Sequence, residues 1–153
     1  MLTIMMSPGF ILLVALALTP SLALAQFTRL SDAVKYRQSV FQVMSTHAQR
    51  IGAVAKGEAA FNRPEIETSA AIIEMLSKQL LTSFPPGSDM APSKTKPEAW
   101  QELPQFKLNA DQLQAAAAKL SSASKTGDLA AIKSAFSALS QTCKTCHDSY
   151  KNR

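Results

Sequence analysis

The segment "LAAIKSAFSALSQTCKTCHDSY" (residues 129–150) carries the strongest pattern in the chain. Leu129, Ile132, Phe136, Leu139, Cys143, Cys146 and Tyr150 follow one another at steps of 3, 4, 3, 4, 3 and 4. That is one stripe of an α-helix, of the kind that buries against neighbouring helices. The stripe includes the chain's two cysteines, and His147 follows the second directly. Whatever these groups hold therefore belongs to the buried side of the helix, not to a loop.

Working outward from this segment, the rest of the chain supplies the partner helices. Residues 26–153 are rich in Ala, Leu, Lys, Gln and Ser and poor in Gly and β-branched runs, a helix-forming composition. A first helix is expected after the N-capping pair Ser31 and Asp32, running to Lys56 with Gly57 as its stop. Its stripe is Val40/Phe41, Met44, Ala48, Ile51 and Ala55. A second opens near Asn62-Arg63-Pro64, with Ile66, Ala70, Ile73, Leu76 and Leu80 on one face. "FPPGSDMAPSKTKPEAW" (residues 84–100) has four prolines and a glycine and reads as a loop, with a short helical turn around "PEAWQELP". A third helix is expected from Asn109 or Asp111 to Lys125, and Gly127-Asp128 turns the chain into the fourth. Four helices, one long connection and no strand pattern predict an all-α, antiparallel four-helix bundle.

Residues 1–25 stand apart. The apolar run Phe10–Leu18 is shorter than the roughly 20 residues that span a bilayer. Ala23-Leu24-Ala25 places small residues at −3 and −1 before Gln26. The segment reads as a cleaved export signal, although it lacks a Lys or Arg; an uncleaved anchor is the competing reading. The mature domain would be residues 26–153, in the periplasm, with no membrane attachment after cleavage. All charged side chains fall in that domain, with a net charge of +5. They are scattered, and together with export this argues against nucleic acid as a partner. An anionic cofactor or acidic partner remains compatible with the charge.

Cys143, Cys146 and His147 project together from one helix face. Cysteines at i and i+3 lie roughly 5–6 Å apart at Cβ. Cys-x-x-Cys-His is the haem c attachment signature: two thiols add to the haem vinyl groups and the imidazole ligates the iron. Three other uses of the residues compete. A disulfide wants Cβ atoms roughly 3.8 Å apart, closer than a helical turn gives. Zinc needs four ligands, and only His47 remains to complete the set. A thioredoxin-like redox pair would accompany a βαβ unit, which is missing. Arg37 also stands out. It lies four residues before Phe41 on a stripe that ought to be apolar, so it calls for a buried anion, unless it snorkels to the surface.

With "DAVKYRQSVFQVM" (residues 32–44), "KPEAW" (96–100) and "CKTCHDSYK" (143–151), essentially the whole mature chain resembles the cytochrome c′ family of class II c-type cytochromes. The resemblance implies one covalent haem c on Cys143 and Cys146, with His147 as the axial iron ligand. It places Arg37 and Gln38 beside the haem and its propionates, and Thr95 and Lys96 at the haem edge. Phe41 would occupy the distal position opposite His147. Because Phe cannot coordinate, the iron would be five-coordinate and high-spin, open only to small gases such as NO and CO, and able to carry single electrons. Met44, one turn on, would pack against the porphyrin; the alternative is a six-coordinate, low-spin electron carrier with Met44 as the sixth ligand. Lys151 stands where many members have Arg. The resemblance also implies a non-enzymatic protein and a homodimer through the first two helices, where Ile51, Val54 and Ile72 would extend the apolar face. The redox partner is not indicated.

Overall fold

The computed structural model describes residues 26–152, which form helices and turns with no strand among them. The expected signal, residues 1–25, lies outside the described residues. The helices are α1 (Leu30–Lys56), α2 (Arg63–Ser77), the single turn α3 (Glu98–Gln101), α4 (Leu103–Ser124) and α5 (Leu129–Tyr150). Four of them, α1, α2, α4 and α5, make an antiparallel four-helix bundle; α3 belongs to the long connection, as the "PEAW" turn suggested.

The helix ends show how the sequence sets these lengths. α1 begins slightly before its expected cap: Arg29 is the boundary residue, and Asp32 sits inside the first turn, where the helix dipole favours a carboxylate. Gly57 stops α1 with a left-handed φ of 79°. Its N–H reaches Val54 O at 3.1 Å, and that of Glu58 reaches Ala53 O at 2.8 Å, the paired bonds of a Schellman stop. α5 starts where Asp128 accepts hydrogen bonds from the N–H groups of Ala130 (2.8 Å) and Ala131 (3.3 Å).

α4 differs from the sequence reading. It starts at Leu103, six residues before Asn109. Pro104 fits a first helical turn, and Phe106 and Ala110 already continue the buried stripe to Leu113 and Leu120. Asn109 is not a cap; it is buried and accepts a hydrogen bond from Gln105 Nε2 at 3.2 Å.

Ile51, Ile73, Leu120, Ile132 and Leu139 are fully buried at the centre. Each contributes on the order of 1.5–3 kcal/mol relative to exposure. Ile51 and Val54 therefore pack inside their own bundle, and Ile72 is half-buried. This withdraws the first two from the expected dimer face. Neighbours pack closely around the ring α1–α2–α4–α5, but α1 and α5 touch only sparsely. They approach at Gly52, where a Cβ would lie 3.2 Å from the Phe136 ring. Towards the other end of the pair, a cavity opens between them.

Candidate haem-binding site

That cavity has a volume of about 560 Å³ and is walled by Phe41, Met44, Phe84, Phe106, Leu139 and Tyr150. Cys143 and Cys146 open onto it from α5, both half-buried and neither in a disulfide. Burial raises both thiols above the ordinary cysteine value. Cys146 is pushed up to about 11, by burial first and the neighbouring Cys143 second. A redox or nucleophilic pair requires the opposite shift, towards thiolate. Nor do the described residues contain a group of three or more His, Cys, Asp or Glu placed to hold a metal ion. His47 lines neither this cavity nor the recess described below; its Nδ1 meets Ser69 Oγ at 3.1 Å between α1 and α2.

His147 stands at the mouth of the cavity. The residue is exposed overall, but its ring meets Phe41 edge to face with centroids 6.3 Å apart. Partial burial, and then the Lys151 charge, hold its imidazole below the ordinary histidine value, with Asp148 opposing. A neutral imidazole keeps the lone pair that a metal ligand needs. Phe41 also contacts Phe84 of the loop (6.3 Å). Met44 is 7% exposed and lines the same wall.

Arg37 is not a snorkelling side chain; it is 2% exposed. Nor does it pair with a carboxylate among the described residues. Its guanidinium donates to Ser88 Oγ (2.8 Å), Ser88 O and Ser93 Oγ (2.8 Å), with a long contact to Ser83 O (3.5 Å). It also lies over the rings of Phe84 (4.9 Å) and Trp100 (5.5 Å). Burial works against its charge, and Asp89 partly offsets that. Arg37 thus pins the proline-rich loop over the cavity. Gln38 assists by donating to Pro92 O at 3.2 Å, and both residues line the cavity.

Thr95 lines the cavity as well, half-buried, and bridges to Lys151 as an isolated antiparallel pair. Lys96 N–H donates to Tyr150 O (2.9 Å) and Asn152 N–H to Lys94 O (2.8 Å). The loop is thereby fastened to the end of the helix that carries the cysteines. Lys96 is the exception among the expected residues. It lines a second, outer recess beside His147, and its Nζ donates to Asp148 O at 3.1 Å.

Sequence reasoning missed part of the wall. Phe84 contacts Phe106 (4.9 Å) and Trp100 (5.8 Å), and Phe106 contacts Tyr150 (5.2 Å), forming an aromatic row behind the cavity. Phe84 lies in a loop without periodicity, and Phe106 falls before the expected start of α4. The loop serines gave no signal at all. Tyr150 was legible as the last member of the α5 stripe.

Two unbonded thiols and an imidazole on one helix face, opening on an aromatic-walled cavity of this volume, fit a haem c. The fold and site define a class: a small all-helical c-type haem protein with its attachment motif on the last bundle helix.

Comparison with known proteins narrows this. The family described as cytochrome C′ matches residues 32–151. The chain is 40% identical to cytochrome c′ of Rubrivivax gelatinosus over 84% of its length and 100% of the relative, and 34% identical to that of Alcaligenes xylosoxydans xylosoxydans over 84% and 99%. The crystal structure of the Rubrivivax gelatinosus protein superposes with a TM-score of 0.80 at 41% identity, covering 83% of this chain and 100% of that one. A nitric oxide complex of an Alcaligenes xylosoxidans variant superposes at 0.79 with 34% identity, over 84% of this chain and 99% of that one. A carbon monoxide-bound variant of the same protein superposes at 0.78 with 34% identity, over 84% and 100%. The chain belongs to the cytochrome c′ family, whose four-helix bundle it shares, and its cofactor is a covalently bound haem c.

Proposed function

We propose that this protein is an exported, periplasmic cytochrome c′ that binds NO and CO at a five-coordinate, high-spin haem iron and passes single electrons without catalysing a reaction of its own. One observation carries the reading: Phe41, which has no donor atom, is the α1 side chain whose ring meets that of His147 at the cavity. Cys143 and Cys146 would hold the haem and His147 would ligate its iron, leaving one axial position open. Phe41 and the aromatic wall would exclude water and larger polar ligands, while small diatomics pass. Arg37, through the loop it pins, and Gln38 and Thr95 would close the edge where the propionates lie. Lys96 would act there only from the outer recess. Residues 1–25 would direct export, and among the described residues no helix is long and apolar enough to cross a membrane.

Gas complexes of two variants of one relative, one with nitric oxide and one with carbon monoxide, support the choice of ligands. For a homodimer, support comes from Val43 on α1 and Met75 on α2, which are 43% and 57% exposed. Met44 lines the same cavity as His147, so ligation by it is the second reading; an occupied sixth position would suppress gas binding. The test is titration of the ferrous protein with NO and with CO, followed by absorption. Saturable binding of both is expected; a spectrum indifferent to either gas refutes the gas-binding reading.

A further inference from the structure

The outer recess adjoins the haem cavity, which Lys94, His147 and Lys151 line, and it gathers charge that the haem reading does not use. It is open and polar, about 660 Å³, and lined by Lys96, Lys144, His147, Asp148, Lys151 and Asn152. Lys94 stands beside it, joined to Asn152 by the backbone bond already described. Four lysines from two segments therefore surround the exposed face of His147. Against them stands Asp148, whose carboxylate pairs with Lys144 and whose carbonyl accepts from Lys96. The net charge of this collar is +3; the other twelve basic and ten acidic side chains of the chain nearly cancel. More than half of the protein's net charge of +5 is thus gathered at one spot.

The collar is also built rather than merely crowded. The two backbone hydrogen bonds that flank the Thr95–Lys151 bridge lock residues 94–96 to residues 150–152, so the lysine stems leave a fixed base. The exposed large apolar side chains, Leu30, Val43, Phe61, Met75, Met90, Leu103 and Leu108, do not line the recess, so it offers nothing for insertion into lipid.

We infer that the lysine collar of Lys94, Lys96, Lys144 and Lys151 is a docking surface for an acidic protein partner, seated over His147. Concentrated charge of one sign steers an oppositely charged partner and fixes its orientation. Docking needs only the collar. Its use for electron exchange rests on the haem reading, because His147 would then bring the iron to the partner's contact surface.

The experiment uses the holoprotein and a fluorescein-labelled oligoglutamate peptide, read by anisotropy at about 0.01 M salt, where the screening length is roughly 30 Å. Lys94→Gln/Lys144→Gln/Lys151→Gln is compared with Lys56→Gln/Lys119→Gln/Lys133→Gln, which removes the same charge from exposed positions on α1, α4 and α5 away from the recess. An unchanged Soret band and helical circular dichroism in both variants separate loss of docking from loss of haem or fold. The collar variant should bind about tenfold more weakly than the parent, and the control less than about threefold. Equal weakening in the two would reduce the collar to net charge and overturn the inference. So would tighter binding of the parent to anionic phospholipid vesicles than to the peptide, or collar-independent binding of free phosphate that displaces the peptide.

Discussion

Replacing Arg37 with Met keeps an unbranched stem, shortens the side chain and removes its charge and all its donors. The Ser88 carbonyl, in a residue with no exposure, then loses its partner, at about 1–3 kcal/mol for a buried unsatisfied acceptor. The Ser88 and Ser93 hydroxyls can turn to other acceptors, and Ser88 Oγ already donates to Pro85 O at 2.8 Å, so their loss adds about 1 kcal/mol between them. The contact to Ser83 O at 3.5 Å is too long to count. Stacking on Phe84 and Trp100 contributes about 1 kcal/mol more. Relief of the guanidinium's desolvation offsets part of this, and a net loss of about 3 kcal/mol is expected. Urea unfolding of the holoprotein measures it, with circular dichroism for the bundle. Trp100, the only tryptophan in the chain, reports on the loop by fluorescence, because its Nε1 donates to Phe84 O and Pro85 O at 3.2 Å each. The loop signal should move in native conditions as well as at the transition. A loss under about 1 kcal/mol with unchanged tryptophan emission would show that Arg37 does not clamp the loop.

Three further outcomes are expected. Phe41→Ala should raise CO affinity about tenfold, if about 1.4 kcal/mol of crowding is relieved, and equal affinity in parent and variant removes Phe41 from the gas-binding position. Cys146→Ser should leave haem bound covalently through Cys143 on a denaturing gel stained for haem, whereas the double Cys143→Ser/Cys146→Ser variant should release it to acidified organic solvent; retention in the double variant would place the attachment elsewhere. Burial, and then Arg50, hold His47 below the ordinary histidine value, so the unfolded chain takes up the proton first. Stability should therefore fall as pH drops through about 6.5 and level off once the native imidazole also protonates, a step that His47→Gln should remove from urea midpoints measured against pH.

The bundle was legible because its signals are periodic. The 3-4 stripe of α5, the stop at Gly57 and the cap at Asp128 each express a local rule, and each appears where the sequence puts it. The start of α4 was not, because Pro104 reads as a breaker until Phe106 and Ala110 are seen to be buried. In the candidate site, the spacing of Cys143, Cys146 and His147 put them on one helix face, and the three line one cavity. Arg37 was conspicuous as a charge on an apolar stripe, but its partners were not. They are hydroxyls, a carbonyl and ring faces from a loop more than forty residues away, and nothing periodic connects them to α1. The outer recess was hidden for the same reason, since the Thr95–Lys151 bridge joins positions far apart in sequence.

The electron paramagnetic resonance spectrum of the purified ferric protein bears most directly on the site. A high-spin signal is predicted, from iron held by His147 with Phe41 and no protein donor on the other side. A low-spin spectrum in the parent that turns high-spin in Met44→Leu would contradict it, and would make Met44 the sixth ligand.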